Sequence, residues 1–403
     1  MIRDRSLLAL LSGEFVSRLG SQFTTLALPW FVLVTTGSTS KMGLVFAVEL
    51  APLALLGIPA APLVERIGPK RWLVLMDSIR APIVAAVPFL HAVGGLTFGL
   101  ILVLGALHGT FSVGYFAAQR SILPAVVGED ELRLAQANGL VEGTTNITNL
   151  AGPALAGVLI ATLGAANVMW IDAVSYVASA LLIGLFVRVA RTVHEESEDA
   201  QGIFAGLRYL RVDRTLARVS LSSLTFGFMF PMLAASFPVL AYEQYDQNPR
   251  VAGFLFAVIG AGQVAGSLLT FRLVTRVRPL RLASAAALAT GPPLWFLVPH
   301  VPLYVVALVL AVIGASVPLI NAPYIGFLQV RVPPALRGQV LQSLITINQV
   351  LGPLGYVLAG VLFTRIGLHP SYAVMAVLGT AATLNFVIAV APLRGEPVAQ
   401  EAT

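Results

Sequence analysis

Five acidic side chains, Glu14, Glu49, Asp77, Glu142 and Asp172, stand inside stretches that are otherwise apolar. An ionisable group in such surroundings is expensive, so each marks a place where charge is paired, held or exchanged with a proton. Glu14, Arg18 and Gln22 recur at four-residue spacing, which puts an acid, a base and an amide on one face of one helix. A carboxylate one turn from a guanidinium can keep its charge in apolar surroundings and release it when a proton or a ligand arrives. Asp77 and Arg80 repeat the pairing at a spacing of three, and Glu142, Asn146, Asn149 and Pro153 form a polar stripe running into a glycine-rich stretch. His108 is suited to proton relay, because imidazole changes charge near neutral pH. Glu49 and Asp172 are expected towards the outer ends of their helices, within reach of water. The chemistry these residues offer is ion pairing and proton exchange.

Bond-making constellations are lacking. There is no glycine-rich phosphate loop, and His91, His108, His194, His300 and His369 have no metal-ligand spacing. The serines lack an evident base partner, and the absence of cysteine removes disulfides and thiolate metal sites. No enzymatic activity, cofactor or metal is expected, and without ATP hydrolysis any work the chain performs must draw on a gradient.

The elements that position these groups follow from composition. Of 403 residues 57% are hydrophobic and only 11% charged, against about 25% charged in soluble domains. Charge-free runs such as 282–330 and 81–119 exceed the ~20 residues one helix needs to cross hydrocarbon. Twelve spans are predicted, near 7–35, 42–64, 72–90, 96–118, 135–163, 167–188, 216–241, 251–275, 280–299, 302–328, 339–364 and 371–392. They lack the dyad alternation of barrel strands, so the fold class is all-α integral membrane protein. The apolar run after Arg3, Asp4 and Arg5 reads as a retained first span, not a cleaved leader.

With the N-terminus inside, 20 of the 25 Lys and Arg residues fall in inner segments and only Lys41, Arg250 and Arg365 in outer loops. That bias predicts a cytoplasmic location for both termini in a multi-pass cell-membrane protein. The net charge of +6 is a feature of this orientation and implies no nucleic-acid partner. The longest polar segment, from Arg188 to Arg218, reads as a cytoplasmic linker with an amphipathic helix over 206–217.

The sequence on either side of the linker repeats. Ala156-Gly157-Val158-Leu159 with Gly164 recurs as Ala359-Gly360-Val361-Leu362 with Gly367, and Gly152-Pro153 recurs as Gly352-Pro353. Two six-helix bundles, 1–190 and 216–403, are predicted around a linker at 191–215, the organisation of transporters that rock two halves around a central site.

Residues 61–71, Ala-Pro-Leu-Val-Glu-Arg-Ile-Gly-Pro-Lys-Arg, resemble the loop between the second and third helices of the major facilitator superfamily, with Ala61, Glu65 and Pro69 departing from its usual Gly, Asp and Arg. Ala27-Leu28-Pro29, Leu123-Pro124, the stretch from Gly152 to Gly157, and the stretch from Val332 to Gly338 are similar to the branch of drug, macrolide and siderophore exporters. The resemblance implies two pseudo-symmetric bundles working by alternating access. It implies a cytoplasmic gate at Glu65, Arg66, Asp77, Arg80 and Arg120, and an antiport-associated motif at Gly152, Pro153 and Gly157. Spans 1, 4, 7 and 10 would line the cavity, making Gln22, Ser222, Thr225, Met229, Asn321 and Tyr324 candidates for substrate contact.

Such a cavity suits a small amphipathic compound better than a sugar phosphate. The expected function is proton-coupled export of hydrophobic or amphipathic molecules, with Glu14, Arg18, Asp77, Glu142 and His108 as coupling candidates. A flippase for lysophospholipids or lipid precursors is the alternative, ahead of a non-transporting receptor. A monomer is expected, with membrane lipids as its other partners.

Overall fold

In hydrocarbon a chain must satisfy its own backbone hydrogen bonds, and the apolar segments do so as helices. The computed structural model describes residues 5–128, 130–189, 205–333 and 336–392, and no strand occurs among them. The helices are α1 (Arg5–Thr36), α2 (Thr39–Ile67), α3 (Pro69–Ala92), α4 (Phe98–Ser112), α5 (Tyr115–Val127), α6 (Glu131–Leu163), α7 (Ala165–Phe186) and α8 (Ala205–Val212). They continue as α9 (Arg214–Gln244), α10 (Pro249–Leu273), α11 (Pro279–Ala287), a 3-10 turn (Pro292–Leu297), α12 (Leu303–Arg331), α13 (Arg337–Val350), α14 (Gly352–Ile366) and α15 (Leu368–Val390).

Among the described residues ten helical segments are long and apolar enough to cross a membrane, two fewer than predicted. The difference falls at α1, whose apolar pattern is diluted by Glu14, Arg18 and Gln22, and at 280–299. There α11 stops after nine residues and the chain turns through Pro292 and Pro293, whose missing N–H groups cannot continue an α-helix. The predicted fourth span is also interrupted. α4 ends at Ser112, and α5 opens on Gly114 at φ +80°, where a Cβ would lie 2.9 Å from the Trp72 ring. Conformation and space both require glycine at that break. The predicted amphipathic helix 206–217 is divided at Asp213, whose Oδ1 accepts from the Thr215 and Leu216 amides and starts α9 afresh. The rest of the predicted linker, 191–204, lies outside the described residues.

Packing divides the chain into two units. The first comprises α1–α7 together with Phe237–Ala257. Its core has one layer around Phe23, Trp30, Phe31, Met169 and Tyr176 and another around Leu10, Trp72, Leu73, Ile122 and Leu123. α1 lies close along α7 because Gly13 and Gly20 face it; a Cβ on Gly20 would come within 2.6 Å of the Asp172 carboxylate. The second unit holds the remaining helices, with a core of Leu216, Leu280, Tyr324, Leu328 and Phe386. In it Gly262 and Gly266 of α10 meet the backbone of Ala311 and Ala315 in α12, a small-residue contact of the membrane type.

The sequence repeat has a conformational counterpart. Gly164 ends α6 at φ +82° and Gly367 ends α14 at φ +84°, each joining its helix to the next without an intervening loop. The Gly-Pro pair differs between the repeats: α6 runs through Pro153, whereas Gly352 and Pro353 start α14, where proline fits the first turn.

Candidate functional site

The buried charges of the first unit form two connected clusters. In the first, Glu14 is fully buried on α1, and Gln119 of α5 donates from Nε2 to its Oε2 at 2.5 Å. The same amide accepts from Arg18 through Oε1. The direct Glu14–Arg18 pairing expected from their spacing is thus a three-membered chain, with Gln119 joining acid to base. Gln119 lies one residue beyond the predicted end of span 4 and is not among the candidates read from the sequence. The helix break at Gly114 is what carries it into the bundle.

In the second cluster Asp77 and Arg80 of α3 form a salt bridge at 0% and 5% side-chain exposure. Asp77 also accepts from Ser17 Oγ at 3.4 Å. The Arg80 guanidinium lies over two aromatic faces, 4.3 Å from the Tyr176 centroid and 4.9 Å from that of Tyr115, so its charge is held by a carboxylate and two rings. From Tyr176 the cluster extends outward: its hydroxyl meets Ser21 Oγ at 2.9 Å and His108 Nε2 at 3.0 Å, and His108 Nδ1 faces Glu49 Oε1 at 3.4 Å. Asp172 is fully buried beside them on α7 and accepts from Ser175 Oγ at 3.2 Å. That corrects the expectation that Asp172 is reached by water near a helix end. Burial of Asp172 is imposed by the close α1–α7 approach at Gly20, a packing feature invisible in a hydropathy profile.

Against the guanidiniums of Arg18 and Arg80 stand the carboxyls of Glu14, Glu49, Asp77 and Asp172, three of them fully buried. Unpaired buried charge costs several kcal/mol. A cluster with more acids than bases therefore has reason to bind protons, and changing its charge changes what it can pair with.

Residues 10–356 match the Major Facilitator Superfamily. The chain belongs to that superfamily. The multidrug efflux pump Tap of Mycobacterium tuberculosis is 30% identical over 377 residues, covering 91% of this chain and 89% of the relative. Tap of Mycolicibacterium fortuitum is 30% identical, covering 92% of each, and macrolide efflux protein A of Streptococcus pyogenes is 20% identical, covering 89% of each. Among solved structures, an auto-inhibited POT family peptide transporter superposes with a TM-score of 0.77 at 12% identity, covering 99% of this chain and 98% of that one. The nucleoside transporter NupG superposes at 0.72 with 14% identity, covering 96% and 99%. Identities this low speak for the fold alone. As a Major Facilitator Superfamily member the chain is a multi-pass membrane transporter and not an enzyme.

The other sequence candidates lie apart from the buried clusters. Of the residues that the superfamily resemblance assigned to a gate, Asp77 and Arg80 sit inside the bundle, with Asp77 eight residues into α3 and so about 12 Å along its axis. Glu65 and Arg66 are exposed at the end of α2, and among the described residues no ion pair joins them to Asp77 or Arg80. The Arg120 side chain lies outside what the structure describes. Lys70, next to that loop, donates to the Gly184 carbonyl of α7 at 2.9 Å. Glu142 is exposed on α6 and has no ion pair among the described residues.

Gly152 and Gly157 act in packing. A Cβ at Gly152 would meet the Gln22 side chain at 2.7 Å, and Gly157 faces Pro249 and Gly253 of α10 within the first unit. Gln22 itself donates to Asn149 at 2.8 Å, joining α1 to α6. Among the candidates for substrate contact, Asn321 is exposed and Thr225 half-buried. Met229 is fully buried against Gly379, Ser222 accepts from Asn385 at 2.8 Å, and Tyr324 packs edge-on to Phe386, so these three face the interior of the second unit.

Proposed function

We propose that this transporter exports amphipathic organic compounds in exchange for protons. The observation that carries this reading is the acid-rich network of α1, α2, α3, α4, α5 and α7 in a chain whose relatives are multidrug and macrolide efflux pumps. A carboxyl cluster with too few bases is a proton-binding element inside the bundle, and proton binding there alters ion pairs that hold helices together. Glu14 is the leading carrier, because its carboxylate depends on a single amide that it shares with Arg18. In this reading α1 and the α11 segment with its 3-10 turn are the two further spans that bring the number to twelve. The bundles are residues 1–190 and 216–403, both termini are cytoplasmic, and the protein works as a monomer in the cell membrane. A proton gradient is the energy source.

The test is uptake into proteoliposomes under an imposed pH gradient, comparing amphipathic cations and a macrolide with lysophosphatidylcholine. The expected result is accumulation of the drug-like probes that collapses when a protonophore is added. Accumulation that ignores the pH gradient would overturn proton coupling, and movement of the lysolipid without the drugs would replace export of organic compounds by lipid translocation.

A further inference from the structure

The chain of hydrogen bonds running outward from Tyr176 has a direction. Ser21 Oγ donates to the Ser17 carbonyl at 2.8 Å, so its hydrogen is committed and it can only accept from Tyr176. The Tyr176 hydroxyl, having given its hydrogen to Ser21, can only accept from His108 Nε2 at 3.0 Å. A neutral imidazole carries one N–H. With that hydrogen on Nε2, Nδ1 presents a lone pair to Glu49 Oε1 3.4 Å away. An ionised carboxylate opposite a lone pair is repulsive, so the two groups are matched only when a proton lies between them.

We propose that Glu49 and His108 form a one-proton docking pair, oriented by Tyr176 and Ser21, whose change of charge acts on the Arg80–Asp77 salt bridge. The pair deepens the proton-coupled reading above and rests on it for its role in transport. A proton from water is taken by the Glu49 carboxylate and passed to His108 Nδ1, which leaves Glu49 ionised and His108 an imidazolium donating from both nitrogens. No other bond changes, and one positive charge is gained.

The surroundings suit this step. Beside the pair is a small cavity, lined by Thr24, Glu49, Val84, Leu104, His108 and Met169. α4 approaches α2 at Gly109, where a Cβ would come within 2.2 Å of the Glu49 carbonyl, and this contact fixes the two side chains relative to each other. Among the described residues the titratable groups facing His108 are Glu49 from α2 and Asp172 and Tyr176 from α7, with Arg80 of α3 on the same Tyr176 ring; from α1 come the neutral Thr24, beside His108 in the cavity, and Ser21, on the Tyr176 hydroxyl. A new charge on His108 appears next to the Tyr176 ring, the same ring that Arg80 covers at 4.3 Å, and so acts on the Arg80–Asp77 pair.

The experiment counts protons and then measures transport. Purified full-length protein is taken from alkaline to neutral pH, the window in which the pair takes up its first proton, and proton uptake is followed with an indicator dye. Glu49→Gln and His108→Gln are each expected to bind one proton fewer, and the double variant also one fewer, because the two residues share one proton. Additive loss in the double variant, or no loss in either single variant, overturns the proposal. Tyr176→Phe keeps the count but shifts the pH at which the proton binds; an unshifted profile removes Tyr176 from its positioning role. In proteoliposomes with ethidium as the probe, Glu49→Gln should lower gradient-driven uptake at least tenfold and gradient-free exchange less than threefold, with Glu49→Asp restoring part of the loss. Equal losses in both assays mean a structural role and overturn the proposal. If wild-type uptake ignores the pH gradient while the proton count behaves as stated, proton-coupled export falls and the docking pair stands as a binding site.

Discussion

Gln119 holds Glu14 with one end of its amide and Arg18 with the other, while Glu14 Oε1 and Arg18 Nε are buried with no hydrogen-bond partner among the described residues. Gln119→Ala should therefore destabilise the protein by about 1–3 kcal/mol, the usual result of stranding a buried polar partner, read as a lower thermal midpoint in detergent. Glu14→Gln tests the other quality of the site. It keeps the hydrogen bond but removes the charge that can respond to pH, so gradient-driven export should disappear while substrate binding and downhill exchange persist. Full uphill transport by Glu14→Gln would move the coupling role to Asp77 or to the Glu49–His108 pair. The sequence made Glu14, Arg18, Asp77, Arg80 and His108 recognisable as charges in apolar runs. It could not reveal Gln119, Tyr115, Tyr176 or Ser17 as their partners. Those are ordinary polar and aromatic residues until helix breaks and close helix approaches bring them to the charges.

At the scale of helices, glycine sets where elements come together and where they end. The second unit illustrates the first point: Gly262 would place a Cβ 2.4 Å from the Ala311 carbonyl and Gly266 one 2.1 Å from the Ala315 carbonyl, both backbone atoms that cannot rotate away. Overfilling such a contact costs about 1–3 kcal/mol. Gly262→Ala and Gly266→Ala are expected to lower the thermal midpoint, whereas Gly326→Ala, with open space around its Cα, should leave it unchanged. Equal midpoints for Gly266→Ala and Gly326→Ala would mean that α10 and α12 can slide apart at little cost. Most helices were legible from hydropathy because lipid leaves the backbone few alternatives. The breaks at Gly114, Thr290–Gly291 and Leu351 were not, since an apolar run reads as one span whether or not its backbone is continuous.

On the scale of the whole molecule the two repeats share backbone features and differ in charge. Gly164 and Gly367 adopt the same left-handed φ at equivalent junctions, yet all five acids predicted within spans lie in the first half. α9 carries Glu243 in its last turn, three residues before a tight turn in which Asp246 and Gln247 have φ of +50° and +55°. That turn is the place to test orientation. The excess of Lys and Arg in alternate loops predicts that Gln247 faces outward and that Arg278, between α10 and α11, faces the cytoplasm. Because the chain contains no cysteine, Gln247→Cys and Arg278→Cys each introduce a single thiol without background. In intact cells a membrane-impermeant maleimide should label the first and leave the second unmodified until the membrane is opened. Protection of both would mean that the α9–α10 turn is closed off from the exterior. Reversed labelling would invert the protein in the membrane, and with it the side from which the Glu49–His108 pair receives its proton.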